Sequence, residues 1–257
     1  MSFIRSPISD EDVASAMKIS LVLILGLIIT PSFCKGAEAS TYRYHNLNQN
    51  AASINIDPYK KDTPELASLN VPDEIANGIK TAPLKYLDTL IIHLTQWTED
   101  DYLKVKSIHD WICLNIDYDM VGYNKGDINI EEPHITLRLG RAVCGGYAAL
   151  FRYMTYRAGF ESIIVSGFTK GQGKYALGEQ KILTRHAWNS IKIKNIYYLV
   201  DVTWDAGYVP NDEYVRSYSA EYFLANPNHF VRTHYPEAPG WLLLDTFVTL
   251  EDFKRIK

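Results

Sequence analysis

Two runs rich in β-branched and aromatic residues, RHAWNSIKI (185–193) and IYYLVDVTW (196–204), are separated only by Lys194 and Asn195. Such runs read as strands, and a two-residue link makes them a hairpin. The link also sets the register. Ile193 falls opposite Ile196, which puts His186 opposite Thr203 and Trp188 opposite Asp201. Side chains alternate between faces, so His186, Trp188, Asp201 and Thr203 share one face, with His186 and Asp201 diagonal neighbours at about 7 Å between backbones. From there a carboxylate can orient an imidazole. A slip of one residue would send Asp201 to the other face, and Asp205, beyond Trp204 at the strand's end, is then the alternative orienter.

An oriented imidazole needs something reactive to face, and the candidate lies in RAVCGGYAAL (141–150). From Gly145 to Ala158 the apolar positions Tyr147, Phe151, Met154 and Ala158 recur at helical spacing, and Gly159 suits a C-terminal cap. Cys144 therefore sits at a helix N-terminus. The positive end of the helix dipole stabilises a thiolate and lowers the thiol pKa. Gly145 and Gly146 leave the approach open, and backbone N–H groups at a helix start can donate to a developing oxyanion. A buried cysteine that only packs is the alternative for such a position.

Two more helices precede this one. Leu84, Leu87, Ile91 and Leu94 mark one face after Pro83, and Tyr102, Val105, His109, Ile112 and Ile116 form a stripe after a capping-box-like Thr98–Asp101. Cys113 beside that stripe reads as a small buried hydrophobe, and His109 as a satisfied interior histidine rather than a metal ligand. Residues 117–143 are expected to be loop, punctuated by Gly122, Gly126, Pro133 and Gly140. Gly171, Gly173 and Gly178 read as a connection, since no strand-to-helix frame makes them a phosphate loop. Trp188 can wall the cleft beside His186, whereas Trp204, of opposite parity, is expected in the core; a stacking platform with Tyr197 and Tyr198 is the other reading of these aromatics. Arg141 and Arg185 are expected to be solvated charges. Toward the C-terminus, Tyr222, Phe223, Phe230 and Trp241 suggest a helical tail, and His229 and His234 are expected to lack metal-ligand partners.

The N-terminal KISLVLILGLIITPSFCKGAEAS (18–40) has a basic Lys18, an apolar run from Ile19 to Ile29 and an Ala37-Glu38-Ala39 site. This is the pattern of a secretory signal peptide, and the apolar run is shorter than the ~20 residues a spanning helix needs. Export, removal of residues 1–39 and a mature start at Ser40 are expected, without a stable membrane anchor. The acidic Asp10, Glu11 and Asp12 are wrong for a signal's first region and point to Met17 as the true start. With Cys34 removed, Cys113 and Cys144 could form at most one disulfide, which would silence the thiol. Residues 40–72 read as an extended arm or linker and 73–257 as one catalytic-size domain. The formal net charge of -4 is spread along the chain, which disfavours nucleic acid as a partner.

AVCGGYAALFRYMTYRAGF (142–160), RHAWNSIKI and YYLVDVTWD together resemble the three core motifs of the transglutaminase-like superfamily, and IHDWICLNIDYD (108–119) and EYFLANPNHFVRTHYPEAPGWLLL (221–244) resemble the flanking segments of its kyphoscoliosis-peptidase-like branch. The resemblance spans residues 98–255 and implies an α+β, papain-like fold, with a cysteine-bearing helix packed on an antiparallel sheet that carries histidine and aspartate. It implies Cys144 as nucleophile, His186 as general base and later acid, and Asp201 as orienter, with neither cofactor nor metal. Protein or peptide amides are the implied substrates, with transfer to water expected and transfer to an amine as the alternative. A catalytically idle binding module is the reading from another class. Lys194–Asn195 replaces the usual Asp-Gly turn, and no accessory β-sandwich domains fit this length, which argues against a calcium-dependent crosslinking enzyme of the animal tissue type.

Overall fold

In the computed structural model, residues 55–126, 132–170 and 183–256 are described; the expected leader with Cys34, and the Gly171, Gly173 and Gly178 connection, lie outside them. The hairpin has the register its two-residue link dictates: β4 (Leu183–Ile193) pairs antiparallel with β5 (Ile196–Val200), Ile193 opposite Ile196 and Asn189 opposite Val200. Lys194 and Asn195 both take positive φ, 49° and 66°, the left-handed pair of a type I′ turn. Asn tolerates this conformation well, so the turn forms without glycine.

The second run differs from expectation at its end. The ladder stops at Val200, and Asp201 instead caps a short helix, Val202–Ala206. Its side chain accepts from the N–H groups of Thr203 at 3.0 Å and Trp204 at 3.2 Å. An aspartate that satisfies two helix-start donors overrides the strand preference of Val202 and Thr203. Thr203 therefore does not pair with His186, nor Asp201 with Trp188.

Two more strands complete one antiparallel sheet, while β6 (Gly207–Tyr208) and β7 (Val215–Arg216) form a separate antiparallel pair. Strand β3 (Glu161–Lys170) pairs with β4 on one side and with the short β8 (His234–Pro236) on the other, so the order is β5-β4-β3-β8. Strand β8 interrupts the expected helical tail, which holds the short helices Pro227–Phe230 and Leu250–Arg255 on either side of it. Gly167 permits this edge: a Cβ there would collide with the Tyr235 carbonyl and the Trp188 ring. Pro236 closes the strand, as proline is tolerated at a sheet edge.

Helix Cys144–Arg157 lies on β3 and β4 and begins at the cysteine itself. It ends in a Schellman arrangement, with Gly159 at φ 94°, Gly159 N–H donating to Tyr156 O and Phe160 N–H to Thr155 O. Helix Asp101–Asn115 packs behind it. The expected Thr98 cap is replaced by Asp100, which accepts from Tyr102 N–H at 2.9 Å, while Thr98 accepts from Asp100 N–H. This helix is not amphipathic: Lys106, Ser107, His109 and Asp110 are as buried as its apolar stripe. On helix Pro83–Thr95, Leu87, Leu90, Ile91 and Leu94 are buried, whereas Leu84 is 73% exposed.

The stretch expected as loop contains two short helices, Met120–Asn124 and Pro133–Leu139, and a parallel pair, β1 (Asp117–Tyr118) on β2 (Arg141–Ala142). That pair sets Tyr118 beside Ala142, two residues before Cys144. Residues 57–70 also depart from an extended arm. Tyr59 stacks on Tyr102 with centroids 4.9 Å apart, Glu65 N–H donates to Asp110 at 2.9 Å, and Lys106 reaches Thr63 O at 3.3 Å.

Candidate active site

Cys144 is held from both ends of its own first turns. Asn189 of β4 donates to Ala148 O at 3.0 Å, and the Tyr147 hydroxyl donates to Ile116 O at 2.6 Å, so the helix start is fixed to the sheet and to helix Asp101–Asn115. Val143 supplies no capping side chain for the first N–H groups of the helix, those of Cys144 and Gly145, while Gly146 N–H donates to Val143 O at 2.9 Å. Cys144 is partly accessible and unpaired, and Cys113 is buried and also free, so the disulfide that would silence the thiol is not formed.

His186 and Asp201 meet at 2.7 Å, Nε2 to Oδ2, although the route differs from the diagonal strand pairing expected. The turn into helix Val202–Ala206 swings the carboxylate across the end of the ladder toward the imidazole. Asp205, the alternative orienter, points away to His109, Ser219 and the N–H of Tyr222. With Nε2 committed to Asp201, Nδ1 is the His186 nitrogen left to meet the Cys144 thiol, whose charge acts on the ring.

The electrostatics favour an ion pair. Burial alone would push the Cys144 thiol up, but the charge and hydrogen bond of His186, together with the Ala187 N–H, hold it below its ordinary value. Burial opposes a charged His186 too, yet Asp201 and the Cys144 thiolate raise it to about 10. Asp201 is fully buried, which opposes its charge, but His186 and His234 hold its carboxyl well below the usual range. Four donors surround its two oxygens: Thr203 and Trp204 on Oδ1, His186 and His234 on Oδ2.

His234 was expected to lack ligand-type partners, and here the structure corrects the sequence reading. Its Nε2 lies 3.0 Å from Asp201 Oδ2, and with His186 and Asp201 it forms a three-residue group whose donor atoms lie within 4.8 Å of one another. A metal would have to displace two N–H donors that already converge on one oxygen, so the present geometry is that of a hydrogen-bonded carboxylate. Burial drives His234 down to about 4, so the ring is neutral at ordinary pH. An ionised carboxylate only accepts, so the neutral ring carries its proton on Nε2, and Nδ1 accepts from the Thr233 hydroxyl at 2.8 Å. The signal available was THYP on an edge strand two residues before a proline; its distance along the chain from Asp201 hid it.

The tryptophans exchange their expected places. Trp188 is buried beneath His186, ring centroids 6.2 Å apart, and belongs to the core. Trp204, turned by the helix rather than by strand parity, is half-buried and lines a cleft with His186, Thr203, Tyr118, Met120, Tyr123 and Tyr208. Arg185 at the rim pairs with Glu237 at 2.7 Å, and Arg141 reaches Asp119 at 3.5 Å; both are exposed, as expected.

A second histidine network lies beneath. His109 is fully buried between Asp110, at 2.8 Å, and Asp205, at 3.0 Å, and Lys106 meets Asp110 at 2.7 Å. It is the satisfied interior histidine expected, although the partner Asp205 comes from the helix that Asp201 caps. Cys113 touches its ring at 3.7 Å and Val202 O at 3.6 Å, and burial pushes that thiol up to about 11. An inaccessible thiol held protonated is unsuited to nucleophilic chemistry.

Comparison with known proteins agrees with this architecture. The family model for the transglutaminase-like superfamily matches residues 88–216, which include Cys144, His186 and Asp201. Human kyphoscoliosis peptidase is 34% identical over 171 residues, 65% of this chain and 26% of that protein. Hillarin of Drosophila melanogaster is 24% identical over 198 residues, 72% of this chain and 24% of its own length. A crystal structure of a TGase superposes with a TM-score of 0.36 at 16% identity, covering 54% of this chain and 35% of the other. The chain thus spans about a quarter of the curated relatives it matches. Its cysteine-bearing helix on an antiparallel sheet is the α+β, papain-like core of a Cys-His-Asp enzyme family. The chain belongs to the transglutaminase-like superfamily, on the branch that includes the kyphoscoliosis peptidases.

Proposed function

We propose that this protein is an exported cysteine-dependent acyl-transfer enzyme that hydrolyses protein or peptide amide bonds. The observation that carries the reading is the partly accessible Cys144 at the start of its helix with His186 held at 2.7 Å on the buried Asp201 carboxylate, an arrangement that depresses the thiol and raises the imidazole. Sγ of Cys144 attacks the carbonyl carbon, and the displaced electron pair moves onto the oxygen, where backbone N–H donors of the helix start, including that of Cys144, receive it. Collapse of the tetrahedral species breaks the C–N bond. The His186 imidazolium gives its Nδ1 proton to the leaving amine, and the acyl group remains as a thioester. His186, now neutral, takes a proton from water, the resulting hydroxide displaces the thiolate, and the acid leaves. Asp201 remains ionised throughout and holds the ring.

The cleft that opens on His186 supports a peptide substrate, since Trp204, Tyr208, Tyr118 and Met120 offer an apolar wall next to that ring. The name of the human relative supports hydrolysis over transfer to an amine. Export rests on the N-terminal pattern around Ile19–Ile29, and no described helix is long and apolar enough to cross a membrane. An amide-mimicking electrophile followed by peptide mass spectrometry tests the reading: Cys144 is expected to be modified, with His186→Ala slowing modification by about 10²–10⁴. Equal modification with and without His186 would refute it. On unlabelled peptides, new N-termini mark hydrolysis, whereas incorporation of an added primary amine marks transfer. Peptide mapping of the secreted and cellular protein for a chain that begins at Ser40 tests export.

A further inference from the structure

We propose that His234 is a positioning residue that acts through Asp201, sharing the oxygen that His186 uses and so limiting how tightly the carboxylate holds the His186 proton. The inference rests on the reading of Cys144 and His186 as the reacting pair. Asp201 does not need His234 to be aimed, because Oδ1 is already fixed by the N–H groups of Thr203 and Trp204. What His234 adds is a second N–H on Oδ2, at 3.0 Å, beside the 2.7 Å bond from His186. A donor to a carboxylate lowers its basicity, and the neighbour sharing that oxygen is held less strongly. His186 must be basic enough to stabilise a thiolate yet acidic enough to release its proton to a leaving amine. A carboxylate with an unshared Oδ2 would favour the first demand at the expense of the second.

The surroundings keep His234 in the one state that can do this. The ring is fully buried among Phe230 at 4.0 Å, Trp204 at 4.4 Å, Trp188 at 5.1 Å and Tyr222 at 5.3 Å between centroids. The titratable groups that face it are Asp201, His186 from β4 and the Tyr222 phenol, and Thr233 fixes its other nitrogen. Burial and the charge on His186 both resist protonation, so the ring donates through Nε2 as a neutral group and brings no second positive charge to the carboxylate. Gly167 lets β8 approach closely enough to deliver it.

Alkylation of Cys144 by iodoacetamide, followed against pH in the full chain and read on the peptide that carries Cys144, tests this without a substrate. The wild-type profile is expected to rise once as the ion pair forms and again as His186 loses its proton near pH 10. His234→Phe keeps an aromatic ring in the box but removes the donor, and the upper step is expected to move up by about half to one pH unit. His234→Gln, whose amide N–H can reach the same oxygen, is expected to restore the wild-type position. An upper step unmoved or lowered in the Phe variant overturns the inference. His186→Ala separates the two readings: it should collapse the profile to a single ordinary thiol step, and if it does not, the reacting pair itself is refuted. Nitrogen NMR shifts of His234 in the wild-type protein provide a check that needs no variant. They must show Nε2 protonated and Nδ1 bare at neutral pH, and the opposite tautomer, unable to donate to Asp201, overturns the proposal.

Discussion

At Asp201 two local rules compete, and the outcome makes the candidate site. The strand preference of Val202 and Thr203 would continue the ladder, but a carboxylate able to cap two N–H groups starts a helix instead. Cys144 and His186 were legible because each is announced locally, by a helix start with its glycines and by a two-residue hairpin; that hairpin also singled out Asp201, which meets His186 as a helix cap rather than as a strand neighbour. The capping outcome was legible in principle from DVTWD, yet β-branched composition masked it, and that is why Trp188 and Trp204 changed places. The pair's ionisation has consequences for stability. His186, raised from 6.5 to about 10, contributes stability that is complete below 6.5 and lost as pH rises toward 10. Cys144, lowered from 9.0, contributes stability that is complete above 9.0 and lost as pH falls through its folded value. Above pH 6.5, and from the folded value of Cys144 up to 9.0, the two slopes oppose each other. Cys144→Ala removes the rising contribution and leaves the part of the falling one that Asp201 sustains, so its Tm should decline more steeply than that of the wild type across that window. Parallel Tm–pH curves for the two proteins would contradict the ion pair.

At the scale of elements, β8 is the piece the sequence concealed. Three residues give too short a run for alternation to register, and their partner in β3 lies far back in the chain. Gly167 is the hinge of this contact, since its missing side chain makes room for Tyr235, Pro236 and the Trp188 ring. Gly167→Ala should cost about 1–3 kcal/mol by overpacking and should slow Cys144 modification as well, because His234 and Trp188 both move with that edge. A thermal melt paired with a labelling rate checks this; a stable variant with unchanged labelling would show that β8 need not pack so closely. Helix Asp101–Asn115 was legible in position but not in character. Its apolar stripe implies a wet face opposite, whereas Lys106, Ser107 and Asp110 on that side are buried, with Lys106 and Asp110 paired to each other and to residues 57–70.

Over the whole molecule, the buried Lys106–Asp110–His109–Asp205 network joins distant parts of the chain. It ties the helix behind Cys144 to the helix that Asp201 caps, to Tyr218 and Ser219, and to the backbone at Thr63 and Glu65. Sequence periodicity is blind to such a network, since its members are brought together by tertiary packing rather than by spacing. Lys106→Met takes one of its two positive partners, Lys106 and His109, from buried Asp110 and should destabilise the fold by about 3–5 kcal/mol, with the loss of amide protection greatest over residues 57–70. Denaturant unfolding and hydrogen exchange read the two parts; a loss under about 1 kcal/mol would mean the pair is solvated. The same network supports the floor under the candidate site, so its integrity is a condition for the chemistry above. The central claim, a Cys144 thiolate stabilised by His186 on Asp201, is tested most directly by ultraviolet thiolate absorbance at neutral pH in wild type, Cys144→Ala and His186→Ala. One thiolate is expected in the wild type and none in either variant; a wild type without thiolate, or a His186→Ala protein that retains it, would contradict the account.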